Sequence, residues 1–301
     1  MICRASLTLS EFWERVYLPR ILIGASVKTI ENYGLAVKHW IRVCGACPLS
    51  SIDSGTIAEF QRGLLVGRTP ATANSYTRPI MAMLRLAADE EYGLLDRPPK
   101  VRFLREPKRS PLALTVSEFA EVLATARRWP GTISDCPAPD WWDAVLFSAW
   151  ETGLRFTALL SLRSVDLLWD DAGLFCQAET QKDKEALWFP LQPTTLDAIR
   201  KVYDPARELL FPREVIPETV GEWFRKILDS SGIYAPKGCG MRFHRLRRSK
   251  ASYTEVAGGD AQRALGHSAR SVTERYLDAR IVGRSKQPAM PLPALNKLPR
   301  P

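Results

Sequence analysis

No apolar run in this chain approaches the ~20 residues that a membrane-spanning helix needs, although 46% of its 301 residues are hydrophobic. That apolar content must instead be buried in globular cores, and at this length two domains are expected. The first residues, MICRASLTLSEFWERV, hold no apolar signal core and run straight into an amphipathic pattern, so no secretory signal is expected. Histidine is scarce, at three residues. The six cysteines (Cys3, Cys44, Cys47, Cys136, Cys176 and Cys239) are scattered, which fits reduced cytosolic thiols better than a disulfide framework. Cys44 and Cys47 form a CxxC, but zinc would need a second ligand pair, and the nearest histidine, His39, stands alone. No internal repeat is visible. Acidic charge is in the minority, with 33 Asp and Glu against 42 Lys and Arg, and the net charge of +9 favours a polyanionic partner such as nucleic acid.

The positive charge is concentrated in two places. One is the segment MRFHRLRRSK, where Arg242, Arg245, Arg247, Arg248 and Lys250 lie within nine residues that contain no acid. Phe243, Leu246, Ala251 and Tyr253 supply an apolar side to the same segment. Unpaired charge is expensive to bury, and a solvated face usually mixes the two signs. The segment is therefore expected to face a polyanion. The second place is residues 97–111, RPPKVRFLREPKRSP, with four prolines and six basic residues against one acid. Two readings stay open for it: a plain interdomain linker, or a stiff basic strap along a phosphate backbone.

Before that stretch the pattern is helical. Thr8 and Glu11 form a capping box ahead of Phe12, Trp13, Val16 and Tyr17, and Pro19 is expected to close this helix. Ser26 can cap a second helix, with Ile30, Tyr33, Val37, Trp40 and Ile41 on one face. A third is expected over residues 54–65. Thr69 followed by Pro70 starts a fourth. Beyond the basic stretch, Thr115 and Glu118 form another capping box, and residues 141–150 read as a buried helix ending at Thr152-Gly153-Leu154-Arg155. Gly153 suits a left-handed helix terminus, and Arg155, set between two buried helices, needs an anionic partner or a structural salt bridge. Around residues 165–191 the period falls to two, giving strands at GLFCQ and ALWFP around a turn with Lys182 and Lys184. Helices return over residues 194–202, 220–228, 242–255, 260–265 and 271–277. Residues 283–301 carry five prolines and no periodicity, so a mobile tail is expected there.

Taken together, these pieces resemble the tyrosine recombinases, or phage-type integrases. TGLRFTALLSL resembles the family's first box and places its catalytic arginine on Arg155. TQKDKEALWFPL resembles its β-hairpin, whose lysine lies eight residues before a proline, which selects Lys182. FHRLRRSKASY resembles the His-x-x-Arg box, at His244 and Arg247. ALGH matches the Leu-Gly-His box at His267, and Tyr276, nine residues on, falls on the nucleophile. Two departures stand out: Ala158 occupies a position usually acidic, and Arg245 and Arg248 flank the second box.

The resemblance implies a mainly α protein. Its parts would be a helical core-binding bundle over residues 1–96, a basic linker over 97–113, a mostly helical catalytic domain with a small antiparallel sheet over 114–282, and a Pro-rich tail over 283–301. It implies DNA strand cleavage and rejoining through a 3′-phosphotyrosine. Arg155 and Arg247 would clamp the phosphate, Lys182 would protonate the leaving oxygen, His244 would assist Tyr276, and His267 would hydrogen-bond the phosphate. Lys100, Arg102, Arg105, Lys108, Arg109, Arg242, Arg245 and Arg248 are the expected further DNA contacts. No cofactor is expected, since no acidic metal cluster or Walker loop is visible. The implied partner is duplex DNA, gripped by the two domains as a C-shaped clamp. Monomers in solution would assemble into tetramers on two duplexes, in the cytoplasm at a bacterial nucleoid, encoded by a bacterium, phage or mobile element. A type IB topoisomerase and a catalytically inactive DNA-binding relative are the alternatives.

Overall fold

The computed structural model describes residues 7–106, 111–177, 186–233 and 242–286. The chain divides into two compact units, Met1–Lys108 and Arg109–Pro301.

The first unit is a four-helix bundle. Helix α1 starts at Leu9–Phe12 under the Thr8–Glu11 capping box and continues in π-helical geometry over Trp13–Ile21. Pro19 was expected to end this helix but lies inside it. In α geometry a proline ring collides with the carbonyl four residues back; the wider π turn relieves that crowding. Helices α2 (Val27–Cys44), α3 (Ser54–Leu65) and α4 (Pro70–Ala87) follow, capped by Ser26, Asp53 and Thr69. Phe12, Trp40, Phe60 and Leu64 fill the core, each contributing roughly 1.5–3 kcal/mol by leaving water. Ile41, expected on the inner face, is exposed.

The basic stretch after the bundle is bound to it. Asn74, almost wholly buried, grips Leu104 from both sides: its Nδ2 donates to the Leu104 carbonyl (2.9 Å), and its Oδ1 accepts the Leu104 N–H (3.0 Å). Gln61 donates to the Arg102 carbonyl (3.3 Å). Residues 101–106, expected within a linker, thus lie along α3 and α4, with Arg102 and Arg105 exposed.

In the second unit α5 (Val116–Ala126), capped by Thr115 and Glu118, precedes a two-residue hairpin pair, β1 (Thr132–Ile133) and β2 (Cys136–Pro137). Helix α6 (Ala138–Thr152) is buried through Trp141, Trp142, Val145 and Leu146. After α7 (Phe156–Leu160), strands β3 (Leu167–Leu168), β4 (Gly173–Cys176) and β5 (Leu187–Pro190) form an antiparallel sheet with Leu174 opposite Phe189 and Cys176 opposite Leu187. Helices α8 (Pro193–Arg200) and α9 (Pro217–Ser230) complete the core, which α10 (His244–Val256) joins through Phe243 and Leu246. Two short helices, α11 (Ala261–Ala264) and α12 (Arg270–Thr273), lead to a 3-10 turn over Glu274–Tyr276. The last helix among the described residues, α13 (Ala279–Lys286), was not expected; it buries Ile281 and Val282, so regular structure runs past the start assigned to the tail.

The unit closes on itself where α13 begins. The Asp278 carboxylate, almost fully buried, accepts the Ala113 N–H (2.8 Å), while Arg280 and Arg245 donate to the Ala113 carbonyl (2.8 and 3.2 Å). Ser249 bonds both the N–H and the carbonyl of Leu114 (2.8 Å each). Burial acts to raise the Asp278 pKa, but the hydrogen bonds and charge of Arg280 and the Ala113 N–H outweigh it and hold the carboxyl below the usual carboxylate range.

Candidate active site

The end of α6 prepares one wall of the site. Gly153 takes a left-handed conformation (φ +64°), and a Cβ there would collide with the Lys250 side chain at 2.8 Å. This turn sends the chain directly into α7, with Arg155 at its N-cap, half-buried. It also leaves the Gly153 carbonyl pointing at α10.

Helix α10 supplies the opposite wall. Phe243, packed between a tilted Phe156 and an edge-on Phe224 with centroids 4.5 and 4.8 Å away, fixes its start. Three residues of separation then put His244 and Arg247 on one helical face. Arg247 is buried at 2% exposure and anchored by carbonyls: Nη1 donates to Gly153 (2.7 Å) and Nη2 to Leu265 (2.7 Å). Its Nη2 also lies 3.0 Å from His267 Nε2. The Thr273 hydroxyl oxygen sits 3.0 Å from the other ring nitrogen of His267.

Tyr276 completes the group. Its hydroxyl is 2.9 Å from His244 Nε2. Its ring stands 4.8 Å from the His267 ring, and the Arg247 guanidinium carbon lies 5.6 Å from its centroid. The half-buried tyrosine packs with Ala251, Ala261 and Leu265. Burial, together with the positive charge of Arg247, Arg248 and Arg155, lowers the pKa of His244 to about 4. The imidazole is therefore neutral at pH 7, and its Nε2 can accept the tyrosine proton.

Five of the expected residues, Arg155, His244, Arg247, His267 and Tyr276, thus converge. Lys182 lies outside the described residues, as do Lys108 and Arg109. The other expected DNA contacts separate into three kinds. Lys100, Arg102 and Arg105 are exposed on the first unit. Arg242 is half-buried and paired with Asp229; Arg248 is half-buried, reaching the Leu112 carbonyl at 3.5 Å. Arg245 is a correction. At 5% exposure it is directed at Ala113 and Glu118, so it belongs to the interior. A basic helix can be buried when backbone carbonyls and a carboxylate receive its charge. Sequence reasoning missed Thr273 and Asp278. Thr273 carries a faint signal, lying six residues after His267 and three before Tyr276. Among the described residues, no group of three His, Cys, Asp or Glu side chains could hold a metal ion, and no helix is long and apolar enough to cross a membrane.

A tyrosine hydroxyl held by a neutral histidine beside arginine charge is an arrangement suited to phosphoryl transfer. The family model for the phage integrases matches residues 114–281, and the chain belongs to that family, the tyrosine recombinases. A putative tyrosine recombinase XerC from Pseudomonas syringae is 23% identical over 246 residues, covering 74% of this chain and 51% of the relative, so the chain spans about half of that protein's length. The integrase of Escherichia phage HK022 is 26% identical over 273 residues, covering 85% of this chain and 72% of the relative. In fold the chain is similar to a lambda integrase dimer bound to a COC' core site. The TM-score is 0.75 at 22% identity, over 92% of this chain and 79% of the other.

Proposed function

We propose that this protein is a site-specific DNA recombinase that cleaves and rejoins strands through a 3′-phosphotyrosine at Tyr276. The observation that carries the reading is the 2.9 Å contact between the Tyr276 hydroxyl and a neutral His244 under the charge of Arg155 and Arg247. The tyrosine oxygen attacks phosphorus and the 5′ oxygen leaves, so one ester replaces another and no nucleotide cofactor is consumed.

A phenol of ordinary pKa ~10 is a weak nucleophile at neutral pH. The neutral His244, within hydrogen-bond distance of the hydroxyl, supplies the base that takes the proton as the oxygen attacks. In the transition state the guanidinium forks meet the charge growing on the non-bridging oxygens. Lys182 is assigned the proton for the leaving oxygen. Replacing that oxygen by sulfur should rescue Lys182→Ala and leave the milder Lys184→Ala little changed.

The lambda integrase dimer's DNA supports duplex DNA as the partner. Assembly of four protomers on two duplexes, action on bacterial or phage DNA in the cytoplasm, and a division into core-binding and catalytic domains complete the proposal. The test is a duplex nicked beside the cleavage position, which traps the covalent adduct on a denaturing gel. Wild-type protein should form it, and Tyr276→Phe should bind the same DNA and form none. An adduct with the Phe variant would remove Tyr276 from its role.

A further inference from the structure

We infer that Thr273 is a positioning residue: by accepting the Nδ1–H of His267 it makes Nε2 the acceptor that holds the Arg247 guanidinium in place. The inference rests on the reading of Tyr276 and Arg247 above and deepens it.

The argument begins with Arg247, whose guanidinium has donors only. At 3.0 Å from its Nη2, His267 Nε2 must therefore be the acceptor. An imidazole that accepts at Nε2 and carries one proton has it on Nδ1. That nitrogen lies 3.0 Å from Thr273 Oγ1, an oxygen able to accept it. All three side chains are buried, Thr273 completely, His267 at 6% and Arg247 at 2%, so water cannot readily exchange for either bond. In the opposite tautomer an Nε2–H would face an Arg247 N–H, donor against donor, in a closed site.

The chain Thr273–His267–Arg247 thus fixes the guanidinium on one side, while the Gly153 and Leu265 carbonyls fix it on the other. Together these bonds engage at least three of the five donors a guanidinium carries and set the plane of the fork. In the free protein His267 engages Arg247 and Thr273. Thr273 also closes α12, three residues before Tyr276. One short segment therefore carries both the nucleophile and the group that orients its electrostatic partner.

The experiment uses the full chain labelled with 15N-histidine. With three histidines, the His267 signals are assigned by their loss in His267→Asn. Long-range 15N–1H correlations should show Nδ1 protonated and Nε2 unprotonated in the wild type and in Thr273→Ser, and a mixed or reversed tautomer in Thr273→Val. With the nicked duplex at saturation, Thr273→Val should form adduct roughly 10–100-fold more slowly, the range typical of a lost supporting hydrogen bond. DNA affinity should be unchanged, and Thr273→Ser should restore the rate. A wild-type His267 protonated at Nε2 overturns the inference. So does a Val variant at wild-type rate, or a Ser variant as slow as Val, which would assign Thr273 to packing by its methyl group. If wild-type protein forms no adduct at all, the reading of Tyr276 fails instead, and the spectra still decide the tautomer.

Discussion

Two stretches of this chain look alike on paper and differ in the fold. Residues 242–250 and 97–106 are both dense in Arg and Lys with little acid. In the first, Arg245 and Arg247 are buried against backbone carbonyls and Glu118. In the second, Lys100, Arg102 and Arg105 stay exposed while the backbone beneath them is gripped by Asn74 and Gln61. Positive charge in a sequence does not say which way it points. What decides is whether the fold offers oxygens to receive it: α10 faces the turn at Gly153 and the Ala113 peptide, whereas the strap is held by its main chain, by Val101 and Leu104 against the core and by Glu106, and leaves its basic side chains to solvent.

The sharpest way to break this contrast is Arg247→Lys. A lysine keeps the charge but cannot reach two carbonyls and His267 at once, so adduct formation should fall by roughly a hundredfold or more. Retained activity on the nicked substrate would mean that Arg247 serves the interior alone, as Arg245 does. Next comes Arg245→Met, which keeps the bulk and removes the charge. It takes away one of two donors to the Ala113 carbonyl, and unfolding should ease by about 1–3 kcal/mol. Chemical denaturation measures this, and adduct formed per folded molecule should stay near wild type. A stable variant with weakened DNA binding would return Arg245 to the surface role its sequence suggested.

A third test follows from the depressed pKa of His244. In the free protein the imidazole should stay neutral until pH nears 4, so the acid limb of the second-order rate of adduct formation should lie well below the ordinary value of ~6.5. The same shift has a stability consequence. The folded group binds its proton less readily than the unfolded one, so its contribution is present above pH ~6.5 and is lost as pH falls toward 4. An acid limb at 6.5 in the wild type would contradict the burial of His244 and the arginine charge around it. The smallest effect belongs to the strap. Arg102→Ala with Arg105→Ala should leave the rate at saturating DNA unchanged, weaken binding, and lower the salt slope by about 2. An unchanged slope would take the strap away from the phosphates.

Local signals were legible where they report local physics. The capping boxes at Thr8 and Thr115 and the caps at Ser26 and Thr69 start helices where their spacing says they should. His244 and Arg247 share a face because helical period and residue spacing agree. What stayed hidden depends on partners distant in sequence. Asn74 meets Leu104 thirty residues away, and Arg245 meets Ala113 across 132; no window of residues carries such information. Pro19 reads as a stop in any α-helical pattern, and the π turn that accommodates it leaves no mark in composition. Helix α13 was obscured by the prolines that follow it, although Ile281 and Val282 supply its buried side.

The grip of Asp278, Arg280 and Arg245 on the Ala113 peptide brings the early residues of the second unit against the start of α13. In topological terms the stretch from residue 111 to residue 286 nearly closes on itself. Helix α13 has eight residues and spans about 12 Å, so a short polar loop could join Lys286 back to residue 111. New ends could then be opened elsewhere on the surface without disturbing the cluster around Tyr276. The same geometry sets where the chain can be shortened. A cut after Gly283 severs α13 in mid-helix, whereas a cut after Lys286 leaves the clasp on Ala113 whole.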